Sequence, residues 1–415
     1  MKGYCGRAVH ILYFADIRFP LERANGIQTV QTCWALAARG HRVTMLVRPD
    51  TAAAARDPLS FYGLPPVPAL AIERARVAGT APARRLGYLV QALARSFGRR
   101  RADAILTRDL GAASVLLAVP RSLRPAVVYE SHGFAPEVGR ALPDLLTGAA
   151  PASQAKQRRL AARERRVWHG ADGYVTITSA LAAELTSMFG DRRALAVVPD
   201  GVRLDPDRRF VAPPLRRPAT IAYAGNLYPW KGVDVLLRAL AELPEVRGLV
   251  IGGHRAEADL GRLEQLAHGL GLARRVTFTG PVEPPQVAAR LDEADVLVLP
   301  NTAMAISARY TSPLKLFEYL AAGKPIVASD LPALAEVLRH DRNAWLVTAG
   351  DSGALARGIR TVVEDVELGR RLARGAFDAA GDYSWDRRAE RLERVIVSAL
   401  GPEPARPPGA GGGAS

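Results

Sequence analysis

Short apolar runs that alternate with helical stretches are the feature of this chain that most constrains its fold. Strand candidates in the first half are Val9–Ala15, Arg42–Val47, Ala104–Thr107, Ala126–Tyr129, Gly173–Ile177 and Ala196–Val198. Those in the second half are Thr220–Ala224, Gly248–Ile251, Val276–Phe278, Asp295–Leu299, Pro325–Ala328 and Ala344–Val347. Continuous apolar strands that alternate with helices predict an α/β fold with parallel sheets covered on both faces.

The alternation stops once and restarts, which predicts two domains. The segment 203–218 between them is rich in Pro, Arg and Asp, as is typical of a connection. We predict two doubly wound, Rossmann-like domains, residues 1–202 and 203–384, that face each other across a cleft. Ligands of such sheets bind beyond the carboxyl ends of the strands, so the cleft is the expected site. The tail 402–415, mostly Pro, Gly and Ala, is predicted to be disordered.

Composition excludes several classes of protein. With 48% hydrophobic and 23% charged residues, a mainly disordered chain is ruled out. Cys5 and Cys33 form no metal-ligand pattern, which argues against a zinc site and a disulfide framework. The apolar stretch Val9–Phe14 is too short for a signal sequence, and no run approaches the roughly 20 apolar residues of a membrane-spanning helix. We expect a cytoplasmic protein, either free or peripheral on the inner face of the membrane.

The net charge of +15 is concentrated in the first half. Residues 1–202 hold 28 Lys and Arg against 15 Asp and Glu, whereas residues 203–415 hold 28 against 26. Two clusters, Arg74–Arg101 and Lys156–Arg166, contain eight and six basic residues. They favour an anionic partner surface on the first domain, with ordinary solvated helix faces as the alternative. Within a helix predicted at Arg84–Arg99, the apolar spacing is typical of either an interfacial helix or core packing.

The first chemical motif is Gly225-Asn226-Leu-Tyr-Pro-Trp-Lys231-Gly232, which follows the first strand of the second half. A glycine at a strand end lets backbone approach a ligand, and N–H groups at a helix start favour phosphate. Lys231 adds a cation, in a chain with only five lysines. The alternative is a surface turn that happens to contain a lysine.

The second motif is Tyr310-Thr-Ser312-Pro-Leu314-Lys315-Leu-Phe-Glu318, continuing through Gly323-Lys-Pro. Thr311 or Ser312 is predicted to cap a helix that has Pro313 at its first position, so its N–H groups would favour an anion. Lys315 and Glu318 share one helix face, and a surface ion pair is the alternative. The Glu318 carboxylate is able to accept two hydroxyl hydrogen bonds, as a ribose requires.

These motifs, in this order, resemble the GT-B glycosyltransferases of family 4 (glycosyl transferases group 1), retaining enzymes that use nucleotide-sugar donors. Val198-Pro-Asp-Gly-Val202, Asn25-Gly26-Ile27 and Gly40-His-Arg-Val-Thr44 extend the resemblance over most of the chain. In this family a C-terminal helix crosses back to the first domain, and 385–400 is the candidate. The resemblance implies transfer of a sugar from a nucleotide diphosphate to a hydroxyl, with retention at the anomeric carbon. It also implies no cofactor and no essential metal.

The resemblance assigns site residues by position. The predicted catalytic residues are His132, Lys231 and Tyr310; the predicted donor-binding residues are Gly26, Gly225, Asn226, Lys231, Arg309, Ser312, Leu314, Lys315 and Glu318. Lys231 would bind the donor diphosphate and Glu318 the ribose. Gly26, placed in the loop after the first strand, would border the donor phosphate, and the backbone at Ser312 and Leu314 would hold phosphate or sugar. His132 resembles the histidine that contacts the donor sugar. The alternative is a loop histidine whose hydrogen bonds are all made within the protein.

Three positions depart from the family pattern. Tyr310 stands where the first Glu of Glu-x7-Glu is expected, Asn226 stands near the place of an arginine, and Asn25-Gly26 replaces Gly-Gly. We hypothesise that Arg309 or Lys315 supplies the missing positive charge.

Two further functions stay open from the sequence. One is a nucleotide-sugar 2-epimerase of the same architecture, and the other is a non-catalytic binder of anionic surfaces. No nucleic-acid-binding motif is recognised, so nucleic acid is not an expected partner. The expected partners are a nucleotide sugar, a hydroxyl acceptor that is lipid-linked or part of a cell-surface glycan, and an anionic membrane surface contacted by the basic first domain.

Overall fold

The computed structural model describes residues 8–51, 56–97, 101–141, 150–212, 214, 216–253 and 258–401. Cys5 and the predicted tail 402–415 lie outside these residues. The strands are β1 His10–Arg18, β2 Arg42–Arg48, β3 Leu70–Arg74, β4 Ala104–Thr107, β5 Ala126–Ser131, β6 Gly173–Thr176, β7 Leu195–Val197, β8 Ala219–Ala224, β9 Val246–Ile251, β10 Val276–Phe278, β11 Val296–Leu299, β12 Ile326–Ser329 and β13 Trp345–Val347.

The helices of the first half are α1 Ala24–Ala38, α2 Pro58–Phe61, α3 Ala81–Phe97, α4 Leu110–Leu116, α5 Ala135–Arg140, α6 Gln154–Gly170 and α7 Ser179–Phe189. Those that follow are α8 Val233–Ala241, α9 Ala258–Gly269, α10 Val287–Asp292, α11 Ala305–Arg309, α12 Leu314–Ala322, α13 Pro332–Ala335, α14 Ser352–Glu364, α15 Val366–Ala379 and α16 Trp385–Leu400. Short 3₁₀ turns occur at Arg121–Leu123, Pro229–Lys231, Pro284–Gln286 and Ala380–Tyr383.

The strands form two parallel sheets, which confirms the predicted α/β doubly wound architecture. The first sheet has the order β3-β2-β1-β4-β5-β6-β7, and the second has the order β10-β9-β8-β11-β12-β13. Each order reverses direction beside the first strand of its sheet, so a crevice opens there at the carboxyl ends. The central strands are buried along their whole length because helices cover both faces of each sheet.

The sequence analysis missed one strand, β3, for a physical reason. This strand lies at the edge of the first sheet, and its residues are half-buried or exposed rather than continuously apolar. It therefore lacks the buried run by which the other strands are recognised.

The last helix, α16, packs on the first half of the chain. It contacts α1, β5 and β6, and its buried side chains join the hydrophobic cluster on that face of the first sheet. The opposite face is covered by α3, α4 and α6. Among the described residues, none of the helices combines the length and apolarity needed to cross a membrane.

Candidate active site

The carboxyl ends of the two sheets meet across a cleft, and several hydrogen bonds join its walls. The Asp200 N–H donates to Ser312 Oγ at 3.0 Å, and the Thr178 hydroxyl donates to the Arg309 carbonyl at 2.6 Å. The Glu336 carboxylate accepts the N–H groups of Ser179 and Ala180 at 2.9 and 3.1 Å, where helix α7 begins. The cleft predicted from the sheet topology is thus closed at one end by direct contacts.

Lys231 lies on the C-terminal wall, in the 3₁₀ turn Pro229–Lys231 between β8 and α8. The turn ends at Gly232, whose φ of +72° and close approach to Pro300 O exclude any side chain. Lys231 is only 8% exposed, and its Nζ lies 3.6 Å from the centroid of the Trp230 ring. Burial lowers the pKa of this lysine to about 7. The surface-turn alternative is wrong, because the side chain is buried.

Lys315 is a second buried cation on the same wall. It is 7% exposed, its Nζ lies 3.6 Å from the centroid of the Tyr223 ring, and this nitrogen has no hydrogen-bond partner among the described residues. A Cβ built on Gly225 would be 3.3 Å from the same Nζ, which shows how closely the lysine approaches the end of β8. Burial and the nearby charge of Lys231 lower the pKa of Lys315 well below its usual value.

Glu318 follows one turn later on α12 and is half-buried. Burial raises its pKa to about 7, and the charge of Lys315 opposes this rise. The surface ion pair considered for Lys315 and Glu318 is not formed, because Lys315 is buried and the described residues show no salt bridge between the two.

The start of α12 differs from the prediction. The capping residue is Pro313, without a side-chain cap, and the helix begins at Leu314. Neither Thr311 nor Ser312 caps it, because the Ser312 hydroxyl accepts the Asp200 N–H across the cleft instead. The Leu314 side chain joins the hydrophobic cluster of the first half. The phosphate-binding role of the backbone at Ser312 and Leu314 stays a prediction.

Gly225 and Asn226 lie where β8 ends. Gly225 has a φ of +132°, and its N–H donates to Ile251 O at 2.8 Å. The Asn226 carbonyl accepts the Tyr223 hydroxyl at 2.5 Å. Gly225 therefore lies beside Lys315, with Asn226 next to it in the chain, and donor binding by these two residues stays a prediction.

Asn301 is a residue of this wall that the sequence analysis missed. It lies two residues after the end of β11, it is fully buried, and neither Oδ1 nor Nδ2 has a partner among the described residues. The Thr302 N–H donates to the Trp230 carbonyl at 3.2 Å, which places Asn301 beside the turn that holds Lys231. Its position after a central strand was a signal that could have identified it.

His132 lies on the N-terminal wall, directly after β5. Its Nε2 is 2.5 Å from Oε1 of the buried Glu130. Burial and the charge of Arg108 lower the pKa of His132 to about 4, so the imidazole is neutral near pH 7. A neutral ring that donates from Nε2–H to a carboxylate has a free lone pair on Nδ1. His132 is therefore able to accept a hydrogen bond from a hydroxyl in the cleft.

The polar groups around His132 are paired with one another. Glu130 Oε1 also accepts from Gln28 Nε2 at 2.6 Å and from Arg388 Nη2 at 2.8 Å. Arg108 Nη1 donates to the side-chain oxygens of Gln28 and Asn25 at 2.8 and 3.0 Å. Of these residues, Glu130, Arg388, Gln28 and Arg108 were not predicted, because no local motif marks them.

Gly26 lies in the first turn of α1 rather than in the loop after β1 where the prediction placed it. A Cβ at this position would be 2.3 Å from Leu21 O and 2.5 Å from the Tyr62 hydroxyl. Packing alone therefore requires glycine here, and a contact with donor phosphate stays a prediction.

Arg309 and Tyr310 connect the two walls. Arg309 Nη2 lies 2.8 Å from Glu137 Oε1, and its Nη1 lies 3.3 Å from Glu184 Oε2. The Tyr310 hydroxyl donates to Glu184 Oε1 at 2.7 Å and lies 3.2 Å from Glu137 Oε2. The charge of Arg309 is thus already matched, which leaves Lys315 as the better candidate for the missing cation. The catalytic role of Tyr310 stays a prediction.

The geometry defines what the cleft is able to bind. Lys231 and Lys315 present two buried ammonium groups, Glu318 presents a carboxylate, and His132 presents a hydrogen-bond acceptor. Ammonium groups away from carboxylates attract phosphate oxygens, whereas a carboxylate suits hydroxyl groups. The site therefore fits a ligand that combines phosphates with hydroxyl-bearing rings.

Family models match both halves of the chain. Residues 26–201 match the glycosyl transferase 4-like domain, and residues 218–365 match glycosyl transferases group 1. The chain belongs to the group 1 glycosyl transferases. The family resemblance stated from the motifs is confirmed.

Curated relatives of this chain include two D-inositol 3-phosphate glycosyltransferases. That of Xylanimonas cellulosilytica is 33% identical over 263 residues, which cover 59% of this chain and 61% of the relative. That of Streptomyces avermitilis is 34% identical over 256 residues, which cover 57% of this chain and 54% of the relative. The chain thus spans less than two thirds of the length of the curated relatives it matches.

Solved structures of low sequence identity share the fold of this chain. Sucrose-phosphate synthase from Thermosynechococcus elongatus has a TM-score of 0.73 at 19% identity, covering 94% of this chain and 98% of that one. The Anabaena protein HepE, in complex with UDP and glucose, has a TM-score of 0.68 at 20% identity, covering 94% and 100%. The architecture is therefore the GT-B fold, as predicted.

Proposed function

We propose that this protein transfers a sugar from a nucleotide-diphosphate sugar to a hydroxyl acceptor, with retention at the anomeric carbon. The observation that supports this most directly is the pair of buried ammonium groups, Lys231 and Lys315. No carboxylate oxygen of the described residues lies within 4.0 Å of either nitrogen, the distance limit for a salt bridge. A diphosphate would supply the negative charge that the protein itself does not place there.

The reaction breaks the bond between the anomeric carbon and the diphosphate oxygen. Negative charge then develops on the leaving diphosphate, where Lys231 and Lys315 stabilise it without reorganisation of solvent. The acceptor oxygen forms the new bond on the face that the diphosphate leaves, and its proton passes to a diphosphate oxygen. His132, through Nδ1, accepts a hydrogen bond from a sugar hydroxyl and orients the ring. Glu318 accepts hydrogen bonds from the two ribose hydroxyls.

A uridine nucleotide and a hexose are our first choice for the donor. Structures of HepE, a protein of the same fold, hold UDP, UDP with glucose, and UDP-glucose. The curated relatives are named for transfer to D-inositol 3-phosphate, a hydroxyl acceptor that carries a phosphate. An anionic acceptor also agrees with the positive charge of the first half.

The decisive experiment combines binding and product analysis. Thermal shifts with UDP, GDP, ADP and their sugars would identify the donor, and NMR of the reaction with acceptor alcohols would identify the product. We expect a new glycoside with the anomeric configuration of the donor. An epimerised donor sugar without any glycoside would favour the 2-epimerase alternative, and an inverted glycoside would exclude retention.

We further propose that the layer formed by α3, α4 and α6 faces an anionic membrane that carries the acceptor. On α3, Leu86 is 65% and Val90 56% exposed, whereas Leu89 and Leu93 turn toward the core. The apolar residues of this helix therefore lie partly on its buried side and partly on its exposed side. A partly apolar outer surface suits the interface of a bilayer.

Most of the free positive charge of this layer lies on α6, because α3 has one arginine without an ion pair among the described residues, Arg84. On α3, Arg85 pairs with Asp16 and Asp109, and Arg95 pairs with Glu73. On α6 the exposed cations have no ion pair among the described residues; they are Lys156, Arg158, Arg159, Arg165 and Arg166. Cations of this kind are attracted to anionic lipid headgroups.

Vesicle flotation tests this assignment. Binding to phosphatidylglycerol vesicles, but not to phosphatidylcholine vesicles or DNA, is expected, and a triple change to Glu at Arg158, Arg159 and Arg165 should abolish it. The matched control reverses three paired arginines of α15, Arg370, Arg371 and Arg374. Equal loss of binding in the two variants would exclude α6 as the contact.

A further inference from the structure

Arg388 is a buried guanidinium on α16 that holds several segments of the first half together. It is 1% exposed, and its Nη2 donates to Glu130 Oε1 at 2.8 Å. Its Nη1 lies 3.0 Å from Val198 O and 3.2 Å from Pro199 O, and its Nε lies 3.3 Å from Thr32 Oγ1. These contacts use both edges of the planar group, so its orientation is fixed.

Arg388 and His132 contact the same oxygen atom, Oε1 of Glu130. Glu130 Oε1 accepts from Arg388 and from Gln28, and His132 Nε2 lies 2.5 Å from it. Glu130 is buried, and the charge of Arg388 keeps its pKa low despite this burial. An ionised carboxylate can only accept hydrogen bonds, so the imidazole must place its proton on Nε2.

We propose that Arg388 is a positioning residue for the reaction, because it holds Glu130 ionised and in place, and Glu130 in turn fixes the orientation and tautomer of His132. The kinetic consequence rests on the proposed transferase function, whereas the effect on the imidazole does not. The last helix then has a second role beside packing, since it determines which nitrogen of His132 carries the proton.

If Arg388 served only to attach α16 to the first half, other variants that weaken this attachment should have the same effect. The same helix is also tied to the first half by Glu393, whose carboxylate lies 2.7 Å from Arg39 Nε. Removing that ion pair should weaken the attachment of α16 without touching His132. Arg39→Met is therefore the matched control.

The kinetic test compares Arg388→Met, Arg388→Lys and Arg39→Met. Arg388→Met is expected to lower kcat by about 100-fold, the effect of a misplaced reacting group, with little change in the donor KM. Arg388→Lys should recover part of the loss, and Arg39→Met should leave kcat unchanged. Equal losses in Arg388→Met and Arg39→Met would overturn the proposal.

The second readout is the tautomer of His132, measured by ¹⁵N NMR in the free protein, which needs no transferase activity. We expect the Nε2–H form in the wild type and in Arg39→Met. In Arg388→Met the buried carboxyl gains a proton and donates it to Nε2, so the Nδ1–H form should appear. An unchanged tautomer would overturn the proposal even if no transfer is detected.

If Arg388→Met does not fold, the double variant Glu130→Gln/Arg388→Met still distinguishes a structural role of Arg388 from a positioning role. It removes both charges together, so neither is left unpaired in the interior. A structural role predicts that folding and kcat both recover, whereas a positioning role predicts recovery of folding alone.

Discussion

The two walls of the cleft differ in how their buried charged groups are paired. On the N-terminal wall, Glu130 Oε1 accepts hydrogen bonds from Gln28 and Arg388 and lies beside His132, whereas Glu130 Oε2 has no hydrogen-bond partner among the described residues. On the C-terminal wall, Lys315 and Asn301 have no hydrogen-bond partner among the described residues. The Glu130 carboxylate is thus balanced by a buried guanidinium, whereas the Lys315 nitrogen has no such partner in the part of the chain that the structure describes. A buried group without a partner is costly, and we expect a ligand to complete the C-terminal wall.

This contrast indicates that the two walls have different roles in the site. The N-terminal wall presents one oriented acceptor, His132, on a preformed framework. The C-terminal wall buries two lysine side chains at a cost in stability, because no carboxylate of the described residues pairs with them, and a bound diphosphate would provide the missing negative charge. Active sites commonly sacrifice stability in this manner.

The largest expected effect comes from removing Lys231. Lys231→Met should lower kcat/KM by about 100-fold to 1,000-fold, because the charge on the leaving diphosphate loses its main partner. The same variant should raise the free energy of unfolding by about 1–3 kcal/mol, since a costly buried charge disappears. Kinetics with a fixed donor and denaturant unfolding measure the two quantities.

The control for that variant is Lys324→Met. Lys324 is also 8% exposed, and burial lowers its pKa, but it precedes β12 and therefore lies at the opposite edge of the sheet. Its activity should stay at the wild-type level. Near-wild-type turnover in Lys231→Met would contradict the assignment of the C-terminal wall as the diphosphate site.

The next effect is a dependence of nucleotide affinity on pH. Lys231 has a pKa of about 7 in the free protein, and a bound diphosphate would raise it. Binding thus takes up a proton above pH 7, and the Kd for UDP should rise by up to tenfold per pH unit between pH 7 and 9. Calorimetric titrations of UDP at several pH values measure this slope.

Two variants distinguish the contributions of Lys231 and Glu318 to this pH dependence. Burial raises the pKa of Glu318 to about 7, and its ionisation favours ribose binding as pH rises, which opposes the effect of Lys231. Glu318→Gln should therefore steepen the slope, and Lys231→Met should remove most of it. The same slope in all three proteins would show that neither group faces the nucleotide.

A smaller effect is expected at the contact between the walls. Tyr310→Phe removes the hydrogen bond from the hydroxyl to Glu184 and should lower stability by about 1 kcal/mol, with kcat reduced by less than tenfold. Tyr88→Phe, which removes a buried hydroxyl bonded to Leu46 O away from the cleft, is the control. A loss of 100-fold or more in Tyr310→Phe alone would assign a catalytic role to this tyrosine.

The smallest expected effect is that of a chelator. We expect EDTA to leave the transfer rate unchanged, because ammonium groups rather than a metal ion would balance the diphosphate. The connecting segment contains Asp205-Pro-Asp207, and these two carboxylates belong to a local turn in which Asp205 Oδ1 accepts the Asp207 N–H at 2.9 Å. Loss of activity in EDTA, restored by Mg²⁺, would contradict this expectation.

Much of the fold followed from local patterns. The strands Ala104–Thr107 and Val276–Phe278 and the helix Trp385–Leu400 lie where the sequence predicted them, because buried runs and amphipathic periods are local properties. The edge strand β3 was missed because exposure removes its apolar run. The cap of α12 was assigned wrongly because Ser312 has a partner in the other half of the chain.

The sequence by itself determined the order of strands and helices, the family, and the motifs that contain Lys231, Lys315 and Glu318. Only the tertiary structure decided which charges are neutralised. Arg309, one of the two candidates for the missing cation, is paired with Glu137, whereas Lys315 is not paired. Glu130 and Arg388, 258 positions apart, meet in the interior. Electrostatic pairing depends on distance in space and on burial, and neither is written in the local sequence.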